Sequence, residues 1–373
     1  MKTQRLLMAC AVTLMTAFPA AAQNLDAMSV AELLPLAQKE GKVTVYAFTS
    51  RIARVETAFE AAYPGIDMIA FDMSSTEQIT RLKSEAGAGI ANADVVYISD
   101  APVVFTELLD GGIVIPYVPP RVADRLDPQF KEPLLAQRLS TKVLMYNEEA
   151  HPDGSPIKNL WELTTPDWKG RVLMVDPLQR GDYLDLMTEI VLRADEMATA
   201  YEAQFGKPIE LSEGAETAGH QFIMDLFAND LVLLASTDDL NKAVGAKGQD
   251  NPPVGFTSYS DRRDNEDEGW ALQVANDVIP SNGIIFPAVL ALTANAPNPA
   301  AARLAVDFLM GDDTETGGPG FAPFNVAGDY ATRKDIPGHP DAVPLGEFKA
   351  WQIDPAKTVT IRQAVGDLIL ELQ

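Results

Sequence analysis

KVTVYAFTSR, residues Lys42–Arg51, predicts a buried strand that leads directly into a helix. Its apolar and β-branched part, Val43–Phe48, is typical of a strand covered on both faces. Ile52–Tyr63 is predicted as the helix, and Pro64–Gly65 is expected to end it. A strand that is followed at once by a helix is the first half of a βαβ unit.

The turn between this strand and helix is Thr49–Ser50–Arg51. The first N–H groups of a helix have no partner within it and carry partial positive charge, so they attract anions. The two hydroxyls and the guanidinium could complete an anion site. The other interpretation is that Thr49 or Ser50 only caps the helix, and this stretch alone favours capping.

Two further strand–turn–helix units follow along the chain. Ile66–Phe71 and Asp94–Ile98 are predicted strands, and each precedes a predicted helix. Parallel βαβ units place ligands beyond the carboxyl ends of their strands. The turns at those ends are polar in all three units, although Ser74 with Glu77 also fits a helix capping box. These turns are Thr49–Arg51, Asp72–Thr76 and Ser99–Pro102.

A second block of the same kind follows the predicted crossover strand Thr141–Asn147. Its predicted strands are Arg171–Val175, Leu231–Ala235 and Val254–Thr257, and polar turns follow them at Asp176–Asp182, Ser236–Asp239 and Ser258–Ser260. Other segments have simpler predictions: loops at Asp261–Gly269 and Thr314–Gly328, strands returning to the first block at Trp270–Val274 and Ile284–Leu292, and packing helices at Asn298–Met310 and Thr358–Leu372.

The N-terminal residues are predicted to be a signal peptide, residues 1–22. Lys2 and Arg5 form a basic start, Leu6–Phe18 is an apolar segment too short to span a bilayer, and small residues precede a mature start at Gln23. Cys10 has almost no apolar run before it, which argues against a lipid-attachment site. The exported chain would contain no cysteine, and therefore no disulfide or thiolate metal site.

Size and charge limit the possible architectures and partners. Roughly 350 residues follow the predicted signal peptide, more than one hydrophobic core usually serves, so two lobes are expected. The net charge is -24, or -26 without Lys2 and Arg5, which argues against nucleic acid or an anionic membrane as partner. It does not exclude an anionic small ligand, because local groups determine a buried site. An acidic surface also suits saline surroundings.

No motif supports catalysis or metal binding. The histidines His151, His220 and His339 stand in unrelated contexts, and the chain has no nucleophile elbow, phosphate-binding P-loop or dinucleotide-binding glycine motif. No pair of carboxylates stands out as an acid/base couple. We therefore predict no catalytic residue, no metal site and no cofactor.

Four motifs, in their order along the chain, resemble those of the periplasmic solute-binding proteins of ABC importers. They are VTVYAFTS at the first strand, NADVVYIS at Asn92–Ser99, WKGRV at Trp168–Val172 and PNPAAARLAVDFLMG at Pro297–Gly311. The similarity covers the predicted mature chain and is strongest to the branch that holds ferric-ion, sugar-phosphate and phosphonate binders.

The resemblance implies a type II binding-protein fold, in which two α/β lobes joined by a hinge close on a ligand in the manner of a Venus flytrap. Lobe 1 would comprise residues 23–140 and 280–373, and lobe 2 residues 141–279. It further implies a periplasmic protein that is not an enzyme and that delivers its ligand to a permease and an ATPase. We expect a monomer.

Ferric binders of this branch use adjacent tyrosines in the second lobe, often with a histidine after the first strand. Here Tyr259 stands alone between serines, and the turn after the first strand carries Arg51, which would repel Fe³⁺. Hydroxyls, arginines and helix N-termini suit a phosphate or carboxylate group, and we predict a small organic anion, a sugar phosphate or related phosphorylated compound. The predicted ligand-binding residues are Thr49, Ser50, Arg51, Ser74, Ser75, Thr76, Ser99, Arg180, Asp182, Ser236, Asp238, Ser258 and Tyr259.

Three alternatives remain open from the sequence. The first is a ferric-ion binding protein. The second is a binder of polyamine or thiamine-type cations, for which the acidic composition and the tryptophans Trp161, Trp168, Trp270 and Trp351 could be used. The third is an exported enzyme on the same fold, which has the least support because no acid/base motif is present.

Overall fold

The strand predicted at Val43–Phe48 is present as β1, Lys42–Ala47, in the middle of three parallel strands. The computed structural model describes residues 24–373, so the predicted signal peptide, Cys10 and Gln23 lie outside the described residues. β1 pairs with β2, Asp67–Asp72, on one side and with β3, Val95–Ile98, on the other. The predicted βαβ arrangement of this first block is confirmed.

Within residues 24–373, twelve strands form one hydrogen-bonded sheet. Its main path runs β2-β1-β3-β10-β5-β8-β6-β7, while β4 and β12 pair with β10, and β9 and β11 pair with β5. The remaining strands are β4 Val114–Ile115, β5 Leu135–Asn147, β6 Val172–Val175, β7 Val232–Leu234, β8 Val254–Thr257, β9 Leu272–Val274, β10 Gly283–Thr293, β11 Tyr330–Ala331 and β12 Trp351–Gln352.

The helices of the described residues cover this sheet. The α-helices are α1 Val30–Glu40, α2 Ile52–Ala62, α3 Ser75–Gly87, α4 Ala101–Val103, α5 Gly181–Leu192, α6 Ala194–Phe205, α7 Ala218–Ala228, α8 Thr237–Gly245, α9 Asn265–Glu268, α10 Pro299–Leu309, α11 Gly318–Phe321 and α12 Pro355–Leu372. A π-helix, Val104–Leu109, continues α4. Within residues 24–373, no helix has both the length and the apolar character needed to cross a membrane.

Two predicted loops contain helices. Asp261–Gly269 holds the end of a 3₁₀-helix, Tyr259–Asp264, followed by α9, and Thr314–Gly328 holds α11 with a 3₁₀-helix at Ala322–Phe324. In the first, the Asn265 side chain donates to Leu272 O at 2.9 Å and accepts from Leu272 N at 3.0 Å. This contact holds the short helix against β9. The charged residues of the segment predict a solvated loop, because nothing in the local sequence indicates this contact.

The antiparallel strands β5 and β10 cross between the two halves of the molecule. β10 pairs with β3 at one end, and β5 pairs with β8 and β9 at the other. All thirteen residues of β5 are buried. The predicted crossover Thr141–Asn147 is therefore the second half of a longer strand that begins at Leu135.

The apolar core is divided between the two sides of these crossing strands. Val45, Phe59 and Leu304 belong to the core of the first lobe, while Trp161 and Phe222 belong to that of the second. The C-terminal segment also joins the second core through Trp351, Val365 and Ile369. The segment from Phe348 onward thus packs with the second core, where α12 contacts α5. The lobe boundaries given from the sequence stay predictions.

Candidate ligand-binding cleft

Three helix N-termini converge on one cavity of about 330 Å³. The first lobe contributes the start of α2, with Ser50 and Arg51, and the second contributes the starts of α5 and α8, with Arg180 and Ser236. Each helix begins directly after a strand of the sheet or a short turn that follows one. The predicted position of the site, beyond the carboxyl ends of strands in both lobes, matches this geometry.

The structure brings eight of the predicted ligand-binding residues together at this cavity. Thr49 orients its neighbour there, since its Oγ1 accepts from Arg51 Nε at 3.3 Å. Ser50 is exposed to the cavity. The eight residues are Thr49, Ser50, Arg51, Arg180, Asp182, Ser236, Asp238 and Ser258.

The other predicted residues lie elsewhere. Ser74 caps α3 by accepting from Glu77 N at 3.2 Å, and with Thr76 it lines a neighbouring hollow. Ser75 and Ser99 are buried and hydrogen-bonded to each other at 2.8 Å. Ser74 therefore caps a helix, as its alternative interpretation proposed, and the hydroxyls of Ser75 and Ser99 are engaged with each other.

Tyr259 also lies away from the cavity. It is 1% exposed, its ring stacks on Phe348, and its hydroxyl donates to Asp341 O and accepts from Val343 N, both at 3.3 Å. Its neighbours Ser258 and Ser260 line the cavity instead. The phenol is therefore part of the contact between the second lobe and the C-terminal segment.

Sequence reasoning missed a row of side chains on β5. Arg138, Ser140 and Lys142 alternate along this buried strand and line the cavity together. Alternate residues of a strand share one face, so the spacing of Arg138 and Lys142 was a signal only if the strand predicted at Thr141–Asn147 was extended back past Arg138. Other lining residues that the sequence did not single out are Phe48, Asp72, Ala235, Thr237, Ser260, Asp261, Arg263 and Phe286.

Arg51 and Arg138 share one buried carboxylate. Asp329 Oδ2 lies 2.6 Å from Arg51 Nη1 and 3.1 Å from Arg138 Nε. Burial opposes the ionised form of Asp329, but the two guanidiniums outweigh it and lower the pKa of this carboxyl. Burial lowers the pKa of Arg138 to about 9, so it remains charged at neutral pH. Its Nη2 has no hydrogen-bond partner within residues 24–373.

Asp182 is the corresponding carboxylate on the second lobe. Its Oδ2 lies 3.1 Å from Lys142 Nζ and 3.3 Å from Arg180 Nη2, while Lys142 also donates to Ser258 Oγ at 2.7 Å. Burial alone would raise the pKa of Asp182, but Arg180 and Lys142 lower it to about 2. The cleft therefore holds ionised acids and bases in preformed pairs.

Comparison with known proteins was made by sequence and by structure. No protein-family model matches the sequence, and no curated protein matches it. Solved structures match in fold. Iron-bound HitA from Pseudomonas aeruginosa is 16% identical with a TM-score of 0.69, and the match covers 89% of this chain and 99% of HitA. AfuA from Actinobacillus pleuropneumoniae, with fructose-6-phosphate bound, is 17% identical with a TM-score of 0.65, covering 89% and 97%.

A third match is IdiA (FutA) from Trichodesmium in complex with iron and citrate, 15% identical with a TM-score of 0.61, covering 89% of this chain and 99% of that one. This chain has the fold of the periplasmic substrate-binding proteins. The predicted two-lobed α/β fold is confirmed, and at these identities the likeness shows the fold. In this binding-protein fold the cavity lies between the lobes, so we call it the cleft.

The charge of the cleft differs from that of the whole chain. Its lining includes the basic residues Arg51, Arg138, Lys142, Arg180 and Arg263, against four carboxylates. The complete chain carries a net charge of -24. Basic side chains are thus concentrated at the cleft. Within residues 24–373, no three or more His, Cys, Asp or Glu side chains are arranged to hold a metal ion.

The lowered pKa of Asp182 predicts an acid-sensitive contribution to stability. Because its pKa falls from the ordinary 3.8 to about 2 on folding, the group stabilises the protein above pH 3.8 and loses this contribution as pH falls towards 2. The contribution should be about 2 kcal/mol. Asp182→Asn should remove that part of the pH dependence, as measured by urea unfolding at pH 5, 4 and 3. Asp153→Asn, at an exposed position, should leave the change of unfolding free energy with pH as in the wild type. If Asp182→Asn also shows the wild-type change with pH, the assignment to Asp182 is wrong.

Proposed function

We propose that this protein is the periplasmic substrate-binding component of an ABC importer, and that its cleft takes a sugar phosphate or a related phosphorylated compound. It would act as a monomer, close its lobes on the ligand and deliver it to the permease and ATPase without chemical change. The observation that carries the proposal is the convergence of five basic side chains and three helix N-termini on one cavity.

The details of the cleft support a phosphate group. The free Nη2 of buried Arg138 is an unpaired, charged donor, and a phosphate oxygen is a matching acceptor. Ser50 at the start of α2 offers a hydroxyl beside helix N–H groups. AfuA shows that this fold accommodates fructose-6-phosphate.

Exposed carboxylates at the rim of the cleft support the proposal that the ligand also carries a sugar. Asp72 and Asp238 line the cleft from opposite lobes and are accessible to solvent. Ionised carboxylates accept hydrogen bonds from hydroxyl groups. Burial raises the pKa of Asp72, with a further contribution from Asp238, and Arg180 opposes the shift. A polyhydroxylated ligand would satisfy acceptors on both lobes.

The ferric alternative has one observation in its favour, namely that HitA and IdiA of this fold carry iron. Five basic side chains at the cleft oppose a trivalent cation by simple repulsion, and they oppose a polyamine for the same reason. Tyr259, the candidate phenolate, has its hydroxyl bonded at the C-terminal segment. The tryptophans Trp161, Trp168 and Trp351 belong to the second-lobe core.

The direct test is calorimetric titration and thermal unfolding of the purified protein with fructose-6-phosphate, fructose, ferric citrate and spermidine. A ligand at 100 times its dissociation constant adds roughly 2.7 kcal/mol to stability. We expect stabilisation by the phosphorylated sugar and none by fructose. Stabilisation by iron or spermidine alone would overturn the ligand class.

Arg180→Ala should weaken binding of the phosphorylated ligand about 10- to 100-fold, through loss of a charge-assisted hydrogen bond. Arg125→Ala is the matched control, because Arg125 has a similar exposed fraction, 31% against 28%, and also pairs with an aspartate, but lies outside the cleft. Titration calorimetry on both variants measures the difference. Equal affinities would show that Arg180 does not contact the ligand.

A further inference from the structure

A second and larger cavity, of about 530 Å³, lies on the other face of the crossing strands. The alternation of β5 and β10 separates the two. Arg138 and Phe286 face the cleft, whereas their neighbours Leu139 and Pro287 line the second cavity. Adjacent residues of a strand point to opposite faces of the sheet, so the two cavities lie back to back across it. We call the second one the rear cavity.

The walls of the rear cavity come from both sides of the hinge. The first lobe supplies Phe105 and Leu109, while Ile353 and Pro355 come from the segment that leads into α12. That helix packs on the core of the second lobe. Phe130, another wall residue, is packed against the cores of both lobes. A molecule in this cavity would contact both lobes.

One wall has an uncommon backbone conformation. Phe105, Thr106 and Leu109 belong to the π-helix Val104–Leu109, in which Asp110 N donates to Phe105 O at 3.3 Å. π-Helical turns are rare, and they occur frequently at functional sites. Here the wider turn directs its side chains at the cavity rather than at the cleft.

The chemistry of the rear cavity is opposite to that of the cleft. Its interior is built from aromatic, aliphatic and proline side chains, and its rim carries the exposed carboxylates Asp110, Glu132 and Asp354. Among the described residues that line it, none is Lys, Arg or His. The volume lies within the range of ordinary small-molecule sites, roughly 300–1,000 Å³.

We infer that the rear cavity is a second ligand site, for a small apolar amine. The apolar walls would bury the hydrocarbon part, and the rim carboxylates would pair with the ammonium group. An organic anion of the same shape would be repelled by those three carboxylates, so the two cavities would select ligands of opposite charge. The inference does not depend on the ligand proposed for the cleft.

The test uses two probes of the same shape and opposite charge, 4-phenylbutylamine and 4-phenylbutyrate, in titration calorimetry and ligand-detected NMR. We expect the amine to bind the wild type. We also expect it to bind at least 10-fold more weakly to the variant with Asp110→Asn, Glu132→Gln and Asp354→Asn. Asparagine at 354 retains the cap that Asp354 Oδ1 provides to Ala356 N at 3.1 Å.

Three controls make the result specific. Neutralising the exposed Glu210, Glu213 and Glu216 removes the same charge from a different surface and should leave amine binding unchanged. Thr106→Trp, at an exposed wall position, should weaken binding by occupying part of the cavity. Arg180→Ala should affect only the phosphorylated sugar.

Absence of amine binding at millimolar concentration would overturn the inference, as would equal binding to the triple variant or to Thr106→Trp. The proposed function is judged separately, because fructose-6-phosphate should bind the triple variant as it binds the wild type. If the amine binds but fructose-6-phosphate does not, the ligand proposed for the cleft is wrong and the inference about the rear cavity is retained.

Discussion

Arg362→Met is expected to lower the free energy of unfolding by about 3–5 kcal/mol at neutral pH. Arg362 Nη2 lies 2.9 Å from Asp100 Oδ2, and its Nε lies 2.7 Å from Asp185 Oδ1. Both carboxylates are almost completely buried. Removing the guanidinium would leave two buried charges that repel each other without a counter-ion. Urea unfolding followed by fluorescence measures the loss.

The pH dependence of this variant has a definite sign. Burial raises the pKa of Asp100 and of Asp185, and the nearby carboxylate of Asp182 adds to both shifts. A carboxyl whose pKa rises on folding favours the native state at low pH and disfavours it when ionised. The cost of Arg362→Met should therefore be largest at pH 7 and smaller at pH 5.

Two further variants check the cause. Adding Asp185→Asn to Arg362→Met should recover part of the lost stability, because one of the two buried charges is then absent. Arg125→Met removes an arginine that also pairs with two carboxylates, Asp313 at 2.6 Å and Asp335 at 2.9 Å, but these are 65% and 39% exposed, so it should cost less than about 1 kcal/mol. A loss in Arg362→Met no larger than in Arg125→Met would contradict the assignment.

This ion triad also explains how the lobes meet. Asp100 follows β3 of the first lobe, Asp185 lies on α5 of the second, and Arg362 on α12 joins them. A Cβ at Gly181 would overlap the Asp100 carboxylate, so glycine is required where α5 begins. The C-terminal helix thus connects the lobes behind the cleft, a role that a simple packing helix would not have.

Arg138→Met is expected to weaken binding of the phosphorylated ligand by about 2–5 kcal/mol, the range for truncating one partner of a buried charge pair. Arg138 is completely buried, and its guanidinium lies 4.6 Å from the Phe324 ring centroid. These contacts hold the guanidinium in one position, so little conformational entropy is lost when it binds an anion. Methionine fills similar space and removes only the charge and the donors.

Removing Arg138 also takes one of two cations from Asp329, which could lower affinity through local rearrangement. The double variant Arg138→Met with Asp329→Asn removes both charges of the pair and separates the effects. If the guanidinium contacts the ligand, the double variant should bind as weakly as Arg138→Met, as measured by calorimetry. Recovery of wild-type affinity would show that Arg138 acts only through Asp329.

Local patterns in the sequence were sufficient for the strands, the helices that follow them and the polar turns between. Thr49–Arg51, Ser236 and Ser258 reach the cleft because a turn at the carboxyl end of a strand in such a sheet can only lie at that edge. Helix periodicity and capping residues act within a few positions of the chain. These features were therefore predictable from the residues themselves.

Contacts between side chains that are distant in sequence were not predictable in this way. Ser75 and Ser99 resemble the cleft serines in sequence, yet they bond to each other because α3 packs beside β3. Tyr259 points at the C-terminal segment, and that segment covers the second lobe rather than the first. Each outcome depends on residues that are tens to hundreds of positions distant.

Chain length, periodicity and turn chemistry were enough to predict a two-lobed α/β chain with polar turns at the strand ends, since each can be read from the residues alone. Packing between distant segments was needed to place Arg138 and Lys142 at the cleft, Leu139 at the rear cavity and Arg362 between the lobes. The physical reason is that alternation along a strand shows which side chains share a face, whereas the elements packed against that face decide what it becomes.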